Sequence, residues 1–114
     1  MTTLASKLRQ YTGTEQYHRL TLFGGFVCTD GVYAFAEEGG AYWVLDLIAS
    51  YQPQLRNYEF QHWKIISHRG KFIALCTDGN GYTLVTQEGD FTDLEDGDYS
   101  FYLTNKVLMV ESEY

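Results

Sequence analysis

Positive charge is scarce in this 114-residue chain: eight Lys and Arg stand against fifteen Asp and Glu, for a formal net charge of −7. Binding a nucleic-acid backbone needs clustered Lys and Arg, so direct contact with DNA or RNA is not expected, and an anionic membrane surface is disfavoured for the same reason. Cysteine is scarce too, and two residues are too few for a disulfide scaffold. No apolar run approaches the ~20 residues of a membrane helix, and no charged-then-apolar stretch opens the chain, so a cytoplasmic protein is expected. With one proline, Pro53, and no low-complexity linker, the expectation is a single domain over residues 1–114.

What the chain does have is 45% hydrophobic residues and 17% aromatics, ten of them Tyr. Disorder is thereby excluded, and Tyr suits surfaces that are half buried and half wet. The stretch from Phe60 to Gln87 holds three runs rich in β-branched and aromatic residues, separated by His68-Arg69-Gly70-Lys71 and Asp78-Gly79-Asn80-Gly81. That pattern predicts an antiparallel meander, with the wholly apolar Phe72 to Cys76 as a central strand covered on both faces. Tyr99, Phe101 and Leu103 alternate with Ser100, Tyr102 and Thr104, a half-buried strand that Asn105-Lys106 turns back into Val107 to Val110.

Leu4, Leu8 and Tyr11 form one stripe of a short helix, with Thr2 or Thr3 as N-cap and Gly13 near its end. Gly24-Gly25 breaks the run from Tyr17 to Phe26 into two expected strands. Asp30-Gly31 then reads as a hairpin turn, with Val32 to Ala36 returning as a strand. From Ala41 to Tyr51 the period changes: Trp43, Val44, Leu47, Ile48 and Tyr51 recur at helical spacing, with Gly39 or Gly40 as N-cap and Pro53 as stop. Trp43, Leu47 and Ile48 are the expected anchors of this helix. The fold class predicted is α+β, an antiparallel sheet of about six or seven strands carrying one principal helix and a short N-terminal one.

The tetrapeptide Cys28-Thr29-Asp30-Gly31 recurs as Cys76-Thr77-Asp78-Gly79. Convergence on good turn chemistry explains this more simply than a duplicated hairpin. Tyr11-Thr12-Gly13-Thr14-Glu15, Thr29-Asp30-Gly31-Val32, Gly40-Ala41-Tyr42-Trp43-Val44-Leu45-Asp46, Phe60-Gln61-His62-Trp63-Lys64, Asp78-Gly79-Asn80-Gly81 and Glu111-Ser112-Glu113-Tyr114 resemble the landmarks of an uncharacterised family of proteins about this size from bacteria, notably cyanobacteria, and their phages and plasmids. The resemblance runs nearly end to end and implies a single α+β domain of mobile-element origin. It carries no known activity and transfers no catalytic residue.

No catalytic, cofactor or metal constellation is visible. Asp78, Asn80 and Gly81 fit calcium-loop positions, but Cys76 and Gln87 stand where the strongest carboxylate ligands belong. His18, His62 and His68 lack a Cys or carboxylate at ligand spacing, and Cys28 and Cys76 read as buried reduced thiols. The charged feature that remains is acidic: Glu88, Asp90, Asp93, Glu95, Asp96 and Asp98 lie together with no base, beside Tyr99 and Tyr102. A solvated connection is the plain reading; the functional one is a docking face for a protein with a basic surface, because clustered carboxylates present the charge that a nucleic-acid groove receives. The function expected is therefore a small acidic protein-binding inhibitor from a mobile element, of anti-CRISPR type, non-enzymatic, cofactor-free, and a monomer or homodimer. A small-ligand (nucleotide-like) binding domain and a structural, oligomerising module are the alternatives.

Overall fold

The computed structural model describes residues 3–19, 26–90 and 92–114. Seven strands form one mixed sheet: β1 (His18–Arg19), β2 (Val27–Cys28), β3 (Phe60–His68), β4 (Lys71–Thr77), β5 (Thr83–Gly89), β6 (Gly97–Thr104) and β7 (Val107–Val110), in the spatial order β1-β2-β7-β6-β3-β4-β5. Every pairing is antiparallel except β2 with β7. The expected meander is β3-β4-β5. Its two-residue first turn places Arg69 at φ 50° and Gly70 at φ 79°, the conformation that matches the twist of paired strands.

The middle strand is β6 and not β4. Tyr99, Phe101 and Leu103 are buried, and β6 pairs along most of its length with β3 and over four residues with β7. The Phe72 to Cys76 run lies one strand from the edge, and its Ile73 and Leu75 are half-buried because nothing in the helical layer reaches them. An all-apolar strand need not be central when its sheet has an apolar outer face.

Four helices make the second layer: α1 (Leu4–Leu8), α2 (Asp30–Gly39), α3 (Tyr42–Ser50) and α4 (Gln52–Leu55). The single principal helix is thus corrected to two, because residues 30–39 are helical where a hairpin and returning strand were expected. Val32, Phe35 and Ala36 stand at helical spacing and are fully buried, with the Phe35 ring 5.0 Å from Phe101 and 5.2 Å from Tyr99. Gly40 is not the N-cap of α3; at φ 59° it ends α2, and Ala41 begins α3.

The N-terminus of α2 is finished from the far end of the chain. Thr29 makes no cap bond to its own helix, but Glu113 accepts from Thr29 Oγ1 (2.5 Å), Gly31 N (3.3 Å) and Val110 N (3.1 Å). Gly31 leaves room for this carboxylate: a Cβ there would stand 2.6 Å from Glu113 Oε1. Helix α1 is capped as expected by Thr3, which exchanges hydrogen bonds with Ser6, but it ends at Leu8 and Gly13 plays no part. In α3, Val44, Leu45, Leu47 and Ile48 are buried, whereas Trp43 is half-buried, its ring 4.6 Å from that of Phe72. The expected Gly24-Gly25 bend lies outside the described residues.

Candidate interaction face

All four helices pack on the sheet face that carries Trp63, Ile65, Ala74, Cys76, Tyr99, Phe101 and Leu108. None of these four packs on the other, where the short C-terminal 3-10 turn Glu111–Glu113 brings Tyr114 against Tyr102. Strand pairing orders this open face into rows. Asp98, Ile66, Ile73 and Glu88 stand side by side across β6-β3-β4-β5, and Ser100, Lys64, Leu75 and Thr86 form the next row. Met109, Tyr102, His62 and Thr77 form the third, across β7-β6-β3-β4. The result is a mixed surface: half-buried Ile66, Ile73 and Leu75 make its apolar part, Lys64 stands in the second row, and exposed carboxylates hold both ends of the first.

Aromatic rings gather at its other end. Tyr102 stacks on His62 at 4.7 Å and meets Tyr114 at 4.5 Å, with Phe60 5.5 Å from Tyr102 and 5.7 Å from Tyr114. Tyr114 stays largely exposed, 68%, so the cluster presents an aromatic surface to solvent. Burial, with help from Glu111 and Tyr114, raises the Tyr102 pKa. His62 Nε2 is buried and has no hydrogen-bond partner among the described residues, an uncommon state for a buried polar atom.

The acidic segment divides into two kinds of carboxylate. Residues 90–96 must carry the chain from edge strand β5 past β4 and β3 to β6, and they cross at the β3–β4 turn. There Thr92 N donates to Gly70 O (2.8 Å), Ser67 Oγ to Leu94 O (2.9 Å), and Arg69 N to Asp96 Oδ1 (2.9 Å). Glu95 Oε2 accepts from Leu4 N at 2.7 Å, tying down the start of α1. Asp96 and Glu95 thus satisfy backbone donors. Glu88, Asp90, Asp93 and Asp98 are exposed and make no side-chain hydrogen bond among the described residues.

Of the two tyrosines expected to join this face, Tyr102 lies on it and Tyr99 does not. Tyr99 is 1% exposed, packed on Phe35, and its hydroxyl donates to Glu95 O at 2.6 Å. Burial, then the nearby Glu95 and Asp96, pushes its pKa up to about 12. A phenol fixed in the core cannot meet a partner, so it leaves the candidate set. Phe60, His62, Glu111 and Tyr114 join it. The signal for Phe60 and His62 was alternation along β3: with Trp63 inward, both had to face outward. Nothing local in the sequence marked Tyr114.

Two histidines do have carboxylates in space. His18 Nε2 is 2.9 Å from Asp30 Oδ1, its ring stacked on Tyr33 at 4.2 Å, and His68 Nδ1 is 3.8 Å from Asp96. Asp30 also accepts from Glu15 N, while its own N–H donates to Thr14 Oγ1, so this residue pins 14–18 to α2. The bond from His18 is the largest of the interactions that hold the Asp30 carboxyl below its usual range. Nearby, Tyr42 donates its hydroxyl to Glu37. Cys28 and Cys76 are buried free thiols. They are not neighbours: β2 and β4 stand four strand spacings apart, ~19 Å. Burial pushes both thiols up to about 12, the opposite of an activated nucleophile. Asp78 Oδ1 accepts from Asn80 N and Tyr82 N, closing the β4–β5 turn.

The class that these features define is a two-layer α+β domain with one sheet face left open. The chain belongs to DUF6876, a family of unknown function whose pattern matches residues 2–114. No curated protein and no solved structure matches it.

Proposed function

We propose that this protein is a small acidic binding module that acts as an inhibitor, seating its open sheet face on the basic nucleic-acid groove of a host defence complex in the manner of an anti-CRISPR protein. The observation that carries the reading is the combination on one face of an aromatic cluster, the half-buried Ile66, Ile73 and Leu75, and the exposed carboxylates of Glu88 and Asp98. Rings at the centre of an interface supply most of its affinity, and Tyr is favoured there. A Lys or Arg side chain over the Tyr102 and Tyr114 rings would gain a cation–π contact, with Glu111 close by. Exposed Glu88, Asp90, Asp93 and Asp98 would steer a cationic surface toward the face. This role is non-enzymatic and needs no cofactor.

The test is competition. Purified protein is titrated into CRISPR effector complexes of several types while their binding to labelled target DNA or RNA is followed. The reading expects at least one effector to lose its nucleic acid at near-stoichiometric inhibitor, and Tyr102→Ala and Tyr114→Ala to blunt that loss while remaining folded. If every effector keeps its nucleic acid at a large excess of inhibitor, the inhibitor reading fails. If the ring variants inhibit as well as wild type, the face has been misassigned.

A further inference from the structure

A second site lies on the helical side of the sheet, independent of the open face. Helix α4, the start of β3 and the β6–β7 turn enclose a cavity of about 450 Å³, within the range of small-molecule sites. Its floor is apolar where buried Leu55 meets Leu103, and Leu103 pairs directly with Gln61 on β3. Gln61 and Gln52 bring the buried polar groups, and their amides are locked together. Gln52 Nε2 donates to Gln61 Oε1 and Gln61 Nε2 to Gln52 Oε1, while Gln61 Oε1 also accepts from the Trp63 indole. A rigid amide pair under an apolar floor holds its shape without a ligand.

The mouth is where charge enters. Arg56, Lys106 and Glu59 all line the cavity, so two cations and one carboxylate give it a net positive charge on a protein of −7. Lys106 occupies a backbone position that a lysine does not favour. Asn105 at φ 52° and Lys106 at φ 64° form the two-residue β6–β7 turn, whose second place is ordinarily Gly. A non-glycine residue held at positive φ points to a use for its side chain. Here the Lys106 ammonium lies 6.0 Å from the centroid of the Phe26 ring, and Phe26 and Tyr58 both line the cavity.

We propose that this cavity binds a small organic anion with a flat ring: the ring slides between Phe26 and Tyr58 onto the Leu55–Leu103 floor, and the anionic group pairs with Arg56 and Lys106. A nucleoside monophosphate and an aromatic carboxylate both have this chemistry. Adenosine 5′-monophosphate and indole-3-carboxylate are therefore the two positive probes, with adenosine and inorganic phosphate as controls that each lack one half. Binding is read by calorimetry and by the Trp63 indole N–H resonance, which reports through Gln61 and is told from that of Trp43 by Trp43→Phe. At least one ring-bearing anion should bind and shift the Trp63 signal, and each control should bind about tenfold or more weakly. Which of the two positive probes wins names the source. Lys106→Gly gives the turn its favoured residue, so this variant should melt no lower than wild type while binding falls by about tenfold, the scale of one charge-assisted contact. Arg56→Gln should weaken binding by a similar factor. Phosphate binding as well as either ring-bearing anion, no binding by any probe to ~10 mM, or unchanged affinity in both variants would overturn the proposal.

Discussion

The two faces of the sheet are built from the same strands and alternate residue by residue, yet they differ in kind. On the covered face, Trp63, Ile65, Ala74, Cys76 and Phe101 are fully buried under the helices. On the open face, Ile66, Ile73, Leu75, Tyr102 and Met109 are half-buried, shielded mainly by one another and by the C-terminal turn. The first face draws its stability from dense packing, and substitutions there leave cavities. The second holds apolar area that folding has not fully removed from water, which is the reserve a binding surface draws on.

The largest expected effect contrasts the two directly. Trp63→Ala on the covered face should cost ~3–5 kcal/mol in chemical denaturation, and Tyr102→Ala one position away on the neighbouring strand's open face ~1 kcal/mol or less. Equal costs would mean that the open face is a second core and not a free surface. Trp43→Ala, at a half-buried ring against Phe72, should fall between them.

Alkaline pH should separate the faces next. Cys28, Cys76 and Tyr99 belong to the covered face, and burial raises each to about 12, the thiols from 9.0. A neutral form favoured by folding gives stability that is complete below the unfolded value. That stability declines once unfolded thiols ionise above 9.0 and is lost as pH rises through the folded values. The loss should reach on the order of 2–3 kcal/mol per thiol by about pH 11. Cys28→Ala with Cys76→Ala should flatten the denaturation-versus-pH curve there. On the inhibitor reading proposed above, the double variant, wherever it stays folded, should inhibit as well as the unchanged protein; a folded variant that had lost inhibition alone would assign the thiols a role in the site.

A smaller effect tests what joins the faces. Glu113→Ala removes the acceptor for Thr29, Gly31 and Val110 and should cost ~1–2 kcal/mol. It should also loosen Tyr114 over Tyr102, seen as faster amide exchange at both. A stability loss with Tyr114 still ordered would mean that the aromatic cluster holds itself.

The smallest stability effect belongs to the open rim. Asp90→Asn, Asp93→Asn and Asp98→Asn together remove side chains that satisfy no described backbone donor, so the melt should hold or rise as repulsion is relieved. Association with the partner should slow, and the wild-type rate should fall with salt more steeply than the variant's. Parallel curves of association rate against ionic strength would end the steering role. Asp96→Asn is the control: it should disturb the β3–β4 turn, because Arg69 N donates to that carboxylate.

Much of this was legible in the chain. Strand β6 follows alternation, β4 and β7 follow their apolar runs, the β3–β4 turn follows Gly70, and α1 and α3 follow apolar spacing, α1 with a capping Thr. The candidate site was legible only in part. A run of six carboxylates is visible in sequence, but which of them hold backbone N–H groups depends on the path of 90–96 beneath a turn more than twenty residues earlier. Alternation already set Tyr99 in a row with Phe101 and Leu103 and Tyr102 in a row with Ser100 and Thr104, so naming both as site residues overlooked that they face opposite sides of one strand.

Cys-Thr-Asp-Gly occurs twice and shows where local information ends. After Cys76 the glycines decide: Gly79 at φ 86° and Gly81 at φ 89° let Asp78 close a turn with its own neighbours, and any chain with these residues would turn here. After Cys28 the same four residues open a helix. The local signal, Val32, Phe35 and Ala36 at helical spacing, was too short to outweigh a hairpin dipeptide. What tips the balance is distant: Tyr99 and Phe101 receive Phe35, and Glu113 supplies the acceptor that the helix's first N–H groups lack. The sequence alone determined composition, charge, strand alternation and tight turns, because each rests on interactions between near neighbours. Tertiary structure alone decided that residues 30–39 are helical, that β6 is central and that one face stays open, because each rests on contacts between residues tens of positions apart.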